Sequence, residues 1–189
     1  MTQAIPKTAV DVDQAQRLLG AGKLEGAKKL IAGVLAESPS NPDALYTFAV
    51  IQRLKKSYLD ALKTLDQVLQ QQPNFARAYQ ERALNELSLN NPMPAGMALE
   101  VAVAQDPSLL KSWTLLVPLY KASGSSKARQ AQDQVDFLTA LPRELIAAIS
   151  YLSSDRLLDA ERVCRAFLMD NKTHVEGMRL LAEIATRNN

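Results

Sequence analysis

Pro39, Pro73 and Pro107 are evenly spaced, and the residues ahead of each repeat with the same step. A small residue recurs at Ala27, Ala61 and Ala95. Four positions on come Ile31, Leu65 and Leu99, then Val34, Val68 and Ala102, followed at once by Leu35, Leu69 and Val103. Apolar residues at i, i+4, i+7 and i+8 share one face of an α-helix. One supersecondary unit is therefore written several times, and a period of about 34 residues specifies an array of stacked units.

Each unit carries two helical stretches. In the second, Leu45, Phe48, Ala49 and Gln52 share a face, Lys56-Ser57-Tyr58 supply a break, and Ala61, Leu65, Val68 and Leu69 line another helix. Pro73 ends that helix, since proline donates no N–H and disfavours α geometry in its predecessor. The third unit follows with Tyr79 and Ala83, a turn at Asn90-Asn91-Pro92, and a helix from Ala95 to Val103. Asn91 reads as an N-cap and Pro92 as a proline in the first helical turn. The alanines at 27, 49, 61, 83 and 95 let antiparallel helices cross closely, while Leu45, Tyr79 and Trp113 fill the adjoining space. A lone pair leaves one apolar side open, so neighbours must stack.

The later units drift. Trp113, Leu116 and Tyr120 make a good first helix and Gly124 a helix stop, but Pro118 inside that helix should bend it. Ser125 to Ala140 stays helical through Ala128, Ala131, Val135 and Leu138, and Pro142 follows Pro107 one position late. A fifth pair reads from Leu145, Ala148 and Tyr151, then Ala160, Cys164, Phe167 and Leu168; the step from Ala95 to Ala160 falls three positions short of two periods. Met178, Leu181, Ala182 and Ala185 form the first helix of a sixth unit. Its apolar stripe has no partner in the chain. The expectation is a piece of a longer protein, the alternative being an open end that docks on another subunit.

The large series Leu45, Tyr79, Trp113, the small series Ala49 and Ala83, the second-helix alanines and the terminal prolines together resemble the tetratricopeptide repeat (TPR) over residues 8 to about 122. Departures are Arg82 where a large apolar residue is usual, Val117 where a small one is, and Gln52 and Glu86 where an aromatic is. The resemblance implies an all-α, right-handed α-solenoid of about eleven helices. The expected divisions are an extension over 1–7, four repeats over 8–141 (8–41, 42–75, 76–109 and an irregular 110–141), and a fifth repeat with an unpaired helix over 142–189.

Composition excludes several functions. Twenty-two basic against 20 acidic residues leave a formal charge of +2, no electrostatic case for nucleic acid. One cysteine forms no internal disulfide and suits a reducing compartment. MTQAIPKTAV lacks a signal peptide's apolar core, and no apolar run nears the roughly 18 residues of a membrane span; the expectation is a cytoplasmic protein. Chemistry is scarce. His174, the only histidine, falls in an inter-repeat turn as an exposed residue. Cys164 matches Ile31, Leu65 and Leu99 and reads as a buried, inert thiol. Gly124-Ser125-Ser126 reads as a plain turn, and no metal spacing or phosphate loop is present. No catalytic, metal or cofactor site is expected.

In the family resembled, first helices line a concave face that holds peptides or partner helices. The implied rows are Asp43, Arg77, Lys111; Tyr46, Gln80, Thr114; Val50, Leu84, Pro118; and Arg53, Leu87, Lys121. Cations around Val50, Leu84 and Leu87 would suit an extended segment with acidic and apolar side chains. Family members that clamp a chaperone's C-terminal carboxylate place Lys and Asn where this chain has Tyr46 and Val50, or Gln80 and Leu84, so that use is disfavoured. The expected function is a non-catalytic protein-binding module. The alternative rests on Leu158-Asp159-Ala160-Glu161-Arg162 and Leu180-Leu181-Ala182-Glu183-Ile184-Ala185, which resemble the repeat region preceding the catalytic domain of bacterial sulfotransferase fusions. A third reading is self-association through the uncapped last helix.

Overall fold

The computed structural model describes residues 6–188, which form eleven α-helices and no strand. They are α1 Lys7–Gly20, α2 Leu24–Glu37, α3 Pro42–Leu54, α4 Tyr58–Gln71, α5 Ala76–Ser88, α6 Pro92–Gln105, α7 Leu110–Ala122, α8 Lys127–Ala140, α9 Arg143–Ser153, α10 Leu157–Asp170 and α11 Val175–Arg187. Two compact units divide at Ala95 and Gly96, inside α6. Of the extension expected over 1–7, residues 1–5 lie outside the described residues, as does Asn189; Lys7 already belongs to α1.

In the N-terminal unit, α1 packs on α2 and α3 on α4, short turns making each pair antiparallel. The pairs stack in sequence order, α2 on α3 and α4 on α5, while first helices touch first helices, α1 on α3 and α3 on α5. The crossing points are where the small residues stand: Ala27, Ala49, Ala61 and Ala83 have no exposed surface, nor do Ile31 and Leu65 beside them. Any larger side chain there would push two backbones apart. In the C-terminal unit α7 pairs with α8 and α9 with α10, and α11 packs on α10 and α9. Leu145, Ala148, Ala160, Cys164, Leu180 and Ile184 make its core.

Every turn inside a pair ends its first helix in the same way. Gly22, Lys56, Asn90, Gly124 and Asp155 all have left-handed backbones, with φ of 72°, 63°, 61°, 64° and 56°. The residue after each donates its N–H five residues back: Ser57 to the Gln52 carbonyl at 2.9 Å, Asn91 to Glu86 at 2.9 Å, Arg156 to Tyr151 at 2.9 Å. This is the Schellman closure, which satisfies the last carbonyls of a helix. Glycine enters this geometry freely, whereas Lys56 and Asp155 hold it at a cost of about 1 kcal/mol each.

The three-residue slip has a definite location. The α7–α8 turn is one residue longer than its counterparts, the α8–α9 connection is two shorter, and α9 itself is two shorter than α3, α5 and α7. Pro118 lies inside α7, which runs from Leu110 to Ala122.

One capping expectation needs correction. His174 is a half-buried N-cap of α11 rather than an exposed turn residue: its Nδ1 accepts the Gly177 N–H at 3.2 Å, and its ring stands edge-on to Phe167. The cap of the kind expected at Asn91 is clearest at Asn41, whose Oδ1 accepts the Ala44 N–H at 3.0 Å with Pro42 opening α3. Asn91 precedes α6, and its amide donates to Glu86 at 2.9 Å. The polar departures from the repeat pattern find partners, although the buried Nε of Arg82 has none. Gln52 accepts the Thr64 hydroxyl at 2.8 Å, and Arg82 pairs with Asp66 on α4.

Candidate functional site

In the N-terminal unit, α3 presents Asp43, Tyr46, Val50 and Arg53, and α5 beside it presents Arg77, Gln80, Leu84 and Leu87. Asp43 and Arg77 are exposed; Tyr46, Val50, Arg53, Gln80, Leu84 and Leu87 are half-buried. Periods of three and four put the four residues of each helix on one stripe, and packing of α3 on α5 sets the stripes side by side. The Tyr46 ring tilts against Phe75, centroids 5.0 Å apart. Burial, reinforced by the nearby Glu81 charge, pushes the Tyr46 phenol up to about 12, so it stays a neutral donor at physiological pH.

Glu81 is the residue that sequence reasoning passes over. It is almost wholly buried and takes an ion pair from Arg53, tying α5 to α3. Arg53 is thus held in a fixed orientation, engaged within the protein itself. Glu81 lies one repeat step after the buried Thr47, which accepts from Gln16 Nε2 at 3.2 Å and donates to the Asp43 carbonyl at 2.7 Å. The contact between successive first helices therefore carries polar residues, and a polar residue recurring at the repeat step was its sequence signal.

The remaining expected groove residues, Lys111, Thr114 and Lys121, are exposed along α7 in the C-terminal unit, as is Pro118. Elsewhere in that unit is a cleft of about 440 Å³ outside the expected rows. Phe137 and Leu138 of α8, Ile149 and Leu152 of α9 and Leu180 of α11 form its apolar lining. Its rim is a ladder of charges along α11: Arg179 donates to Glu176 at 2.7 Å and to Glu183 at 3.3 Å, and Arg187 donates to Glu183 at 3.2 Å. Pro107 closes one side. Its segment is pinned by the buried Asp106, which accepts from the Ser108 N–H at 3.0 Å, the Ser108 hydroxyl at 2.6 Å and the Ser150 hydroxyl of α9 at 2.8 Å.

The residues weighed for chemistry have structural partners. Cys164 is fully buried, donates its S–H to the Gly177 carbonyl at 3.2 Å, and has its thiol pushed up by burial. Ser125 of the Gly124 turn accepts the Lys127 N–H at 3.3 Å. Among the described residues no three His, Cys, Asp or Glu side chains gather to hold a metal, and no helix is long and apolar enough to cross a membrane.

Stacked antiparallel helix pairs of one repeated length, closed by the same turn, define a helical-repeat protein. A tetratricopeptide-repeat family model matches residues 18–87, and the chain has the all-α fold of tetratricopeptide-repeat proteins. A thermophilic TPR protein of Thermus thermophilus is 20% identical with a TM-score of 0.61, over 95% of this chain and 99% of that one. A crystal structure of the MamA protein is 18% identical with a TM-score of 0.57, over 87% and 92%. The first TPR of Spaghetti, bound to the HSP90 peptide SRMEEVD, is 18% identical with a TM-score of 0.56, over 63% and 94%. No curated protein matches the sequence significantly.

Proposed function

We propose that the chain is a non-catalytic, cytoplasmic binding module that holds an extended segment of a partner protein along its first helices. The observation that supports this most is in the N-terminal unit, where half-buried Val50, Leu84 and Leu87 lie on stripes that also carry Tyr46 and the exposed Arg77. Half-buried apolar groups gain by being covered, and a cation at the margin orients an acidic partner. The segment has apolar side chains for Val50, Leu84 and Leu87 and an acidic one for Arg77. A peptide held by its terminal carboxylate fits less well. Tyr46, Val50, Gln80 and Leu84 offer no ammonium and no paired amides for it.

The test is capture of synthetic peptides mixing acidic and apolar residues by the intact chain, then by the R77E variant. Charge reversal should weaken capture roughly tenfold or more while the helical circular-dichroism signal stays unchanged. Unchanged capture rejects this face. The sulfotransferase reading keeps the same scaffold role and adds a catalytic domain; an in-frame phosphosulfate-binding domain would support it.

Self-association has one observation in its favour. Met178 and Ala182 occupy the repeat sites of Leu45 and Ala49, and whereas Leu45 is 6% exposed and Ala49 0%, Met178 is 46% exposed and Ala182 is open as well. Mass that rises with concentration, and falls back in Met178→Glu, would support it; a constant monomer mass would reject it.

A further inference from the structure

We propose that the N-terminal unit docks on the surface of an anionic lipid bilayer, by the end that carries the turns inside its helix pairs. First helices stacked side by side, each followed by an antiparallel second helix, bring the α1–α2 turn, the α3–α4 turn and the start of α6 to that one end. Three large apolar side chains stand out from it: Leu54 is 48% exposed, Leu59 65% and Met93 77%. Leu59 and Met93 share a repeat position, the second residue of α4 and of α6. Single exposed apolar residues are ordinary on a protein surface. Two that flank one turn, with a third a repeat step away, make an edge of apolar tips.

The same end is basic. Lys55 donates to Glu25 at 2.8 Å, tying the end of α3 to the start of α2, and Lys28 stands beside both. One carboxylate cannot neutralise two ammoniums, and Lys23 and Lys56 at the turns add two more, all of them exposed. Asp60, at the start of α4, faces Lys63 at 3.8 Å. Surplus cations around apolar tips complement the boundary of an anionic bilayer. Leucine and methionine reach the acyl boundary, while long lysine stems keep their ammoniums among the headgroups. An acidic peptide or a nucleic acid would meet the lysines and leave Leu54, Leu59 and Met93 in water. Contact of this kind needs no spanning helix, and it uses neither Arg77 nor the stripes of α3 and α5, so it stands apart from the peptide reading.

The test is a titration of the full chain with vesicles of phosphatidylcholine alone and of phosphatidylcholine mixed with phosphatidylserine, bound protein being measured by co-sedimentation. Binding should require phosphatidylserine. K55E/K56E should weaken it roughly tenfold or more, because each lysine near an anionic surface contributes a factor of about five. R77E, away from this end, should change it by less than about twofold. Leu54→Ser combined with Leu59→Ser should also weaken vesicle binding, with the helical circular-dichroism signal kept in every variant. K23E/K28E serves if the first lysine variant misfolds. The proposal is overturned if phosphatidylserine vesicles are not bound, if phosphatidylcholine vesicles bind equally well, if a folded lysine variant binds as the parent does, or if R77E weakens binding as much as K55E/K56E. Unchanged vesicle binding by the leucine variant overturns it too; equal affinity for poly-glutamate or single-stranded DNA would then assign this end to an acidic protein or a nucleic acid.

Discussion

The two units build the same helix pair with different tolerances. In the N-terminal unit the step stays constant, and each crossing is occupied by a small residue beside a full-sized aliphatic one, Ala27 with Ile31 and Ala61 with Leu65. In the C-terminal unit the step contracts between α7 and α9, and beyond that point the equivalents change in size. Cys164 replaces the aliphatic residue, and Gly177 stands where Ala44 and Ala78 sit, with Leu168 and Phe167 close against it. The difference teaches that backbone spacing and side-chain volume are adjusted together.

Truncation at one repeat site in both units should break the symmetry most visibly. Leu65→Ala removes a fully buried side chain and should lower stability by about 2–5 kcal/mol in urea denaturation. Cys164→Ala, at the matching site, removes only one heavy atom and should lose about 1 kcal/mol. Equal losses would mean that the two sites are not packed as described. Next in size is Gly177→Ala: an added Cβ would stand 2.9 Å from Leu168 Cδ2, so thermal unfolding should show a loss of about 1–3 kcal/mol. The methyl group that the regular unit carries at Ala44 and Ala78 is thus harmful in the other.

Asn85 sharpens the comparison in the opposite direction. It is fully buried at the repeat position of Ile51; its amide donates to the Glu81 carbonyl at 2.8 Å, yet its Oδ1 has no partner. Asn85→Leu should therefore raise stability by about 1 kcal/mol, measured by the urea midpoint. Lys56→Gly and Asp155→Gly relieve the left-handed turn in one unit each, and each should gain somewhat under about 1 kcal/mol. A gain in only one would show that the two turns are strained to different degrees.

The titration of Tyr46 leaves stability independent of pH near neutrality and shows itself only in alkali. Its folded pKa is raised to about 12 from an ordinary 10.0, so the folded state holds the proton more tightly than the unfolded one. The stabilisation is complete below pH 10 and is lost as pH climbs toward 12. Tyr46→Phe should flatten that part of the alkaline stability curve, as followed by helical content against pH.

Periodicity made the fold legible, because apolar residues at a fixed step state both the helix face and the need to stack. Ala27, Ala61 and Ala95 sufficed for the crossings, and the turns at Asn90 and Gly124 were visible in their residue types. The missing parts share a cause. Thr47, Glu81 and Asn85 are buried polar residues between first helices, and a search for apolar repeats is blind to them. Lys56 and Asp155 enter left-handed turns against their own preference, driven by the helices on either side. The cleft draws residues from three helices and a connecting segment, past the point where the step changes, so no single stripe announces it. Whether either candidate face binds is decided by the peptide and vesicle titrations.

α11 is buttressed on one flank only: Leu180 and Ile184 are buried, while Met178, Ala182 and Ala185 face water. In a linear array each element borrows its cohesion from the elements it touches. Deuterium should therefore enter the amides of α11 well before those of α9, as the helix peels away and re-zips without disturbing the rest.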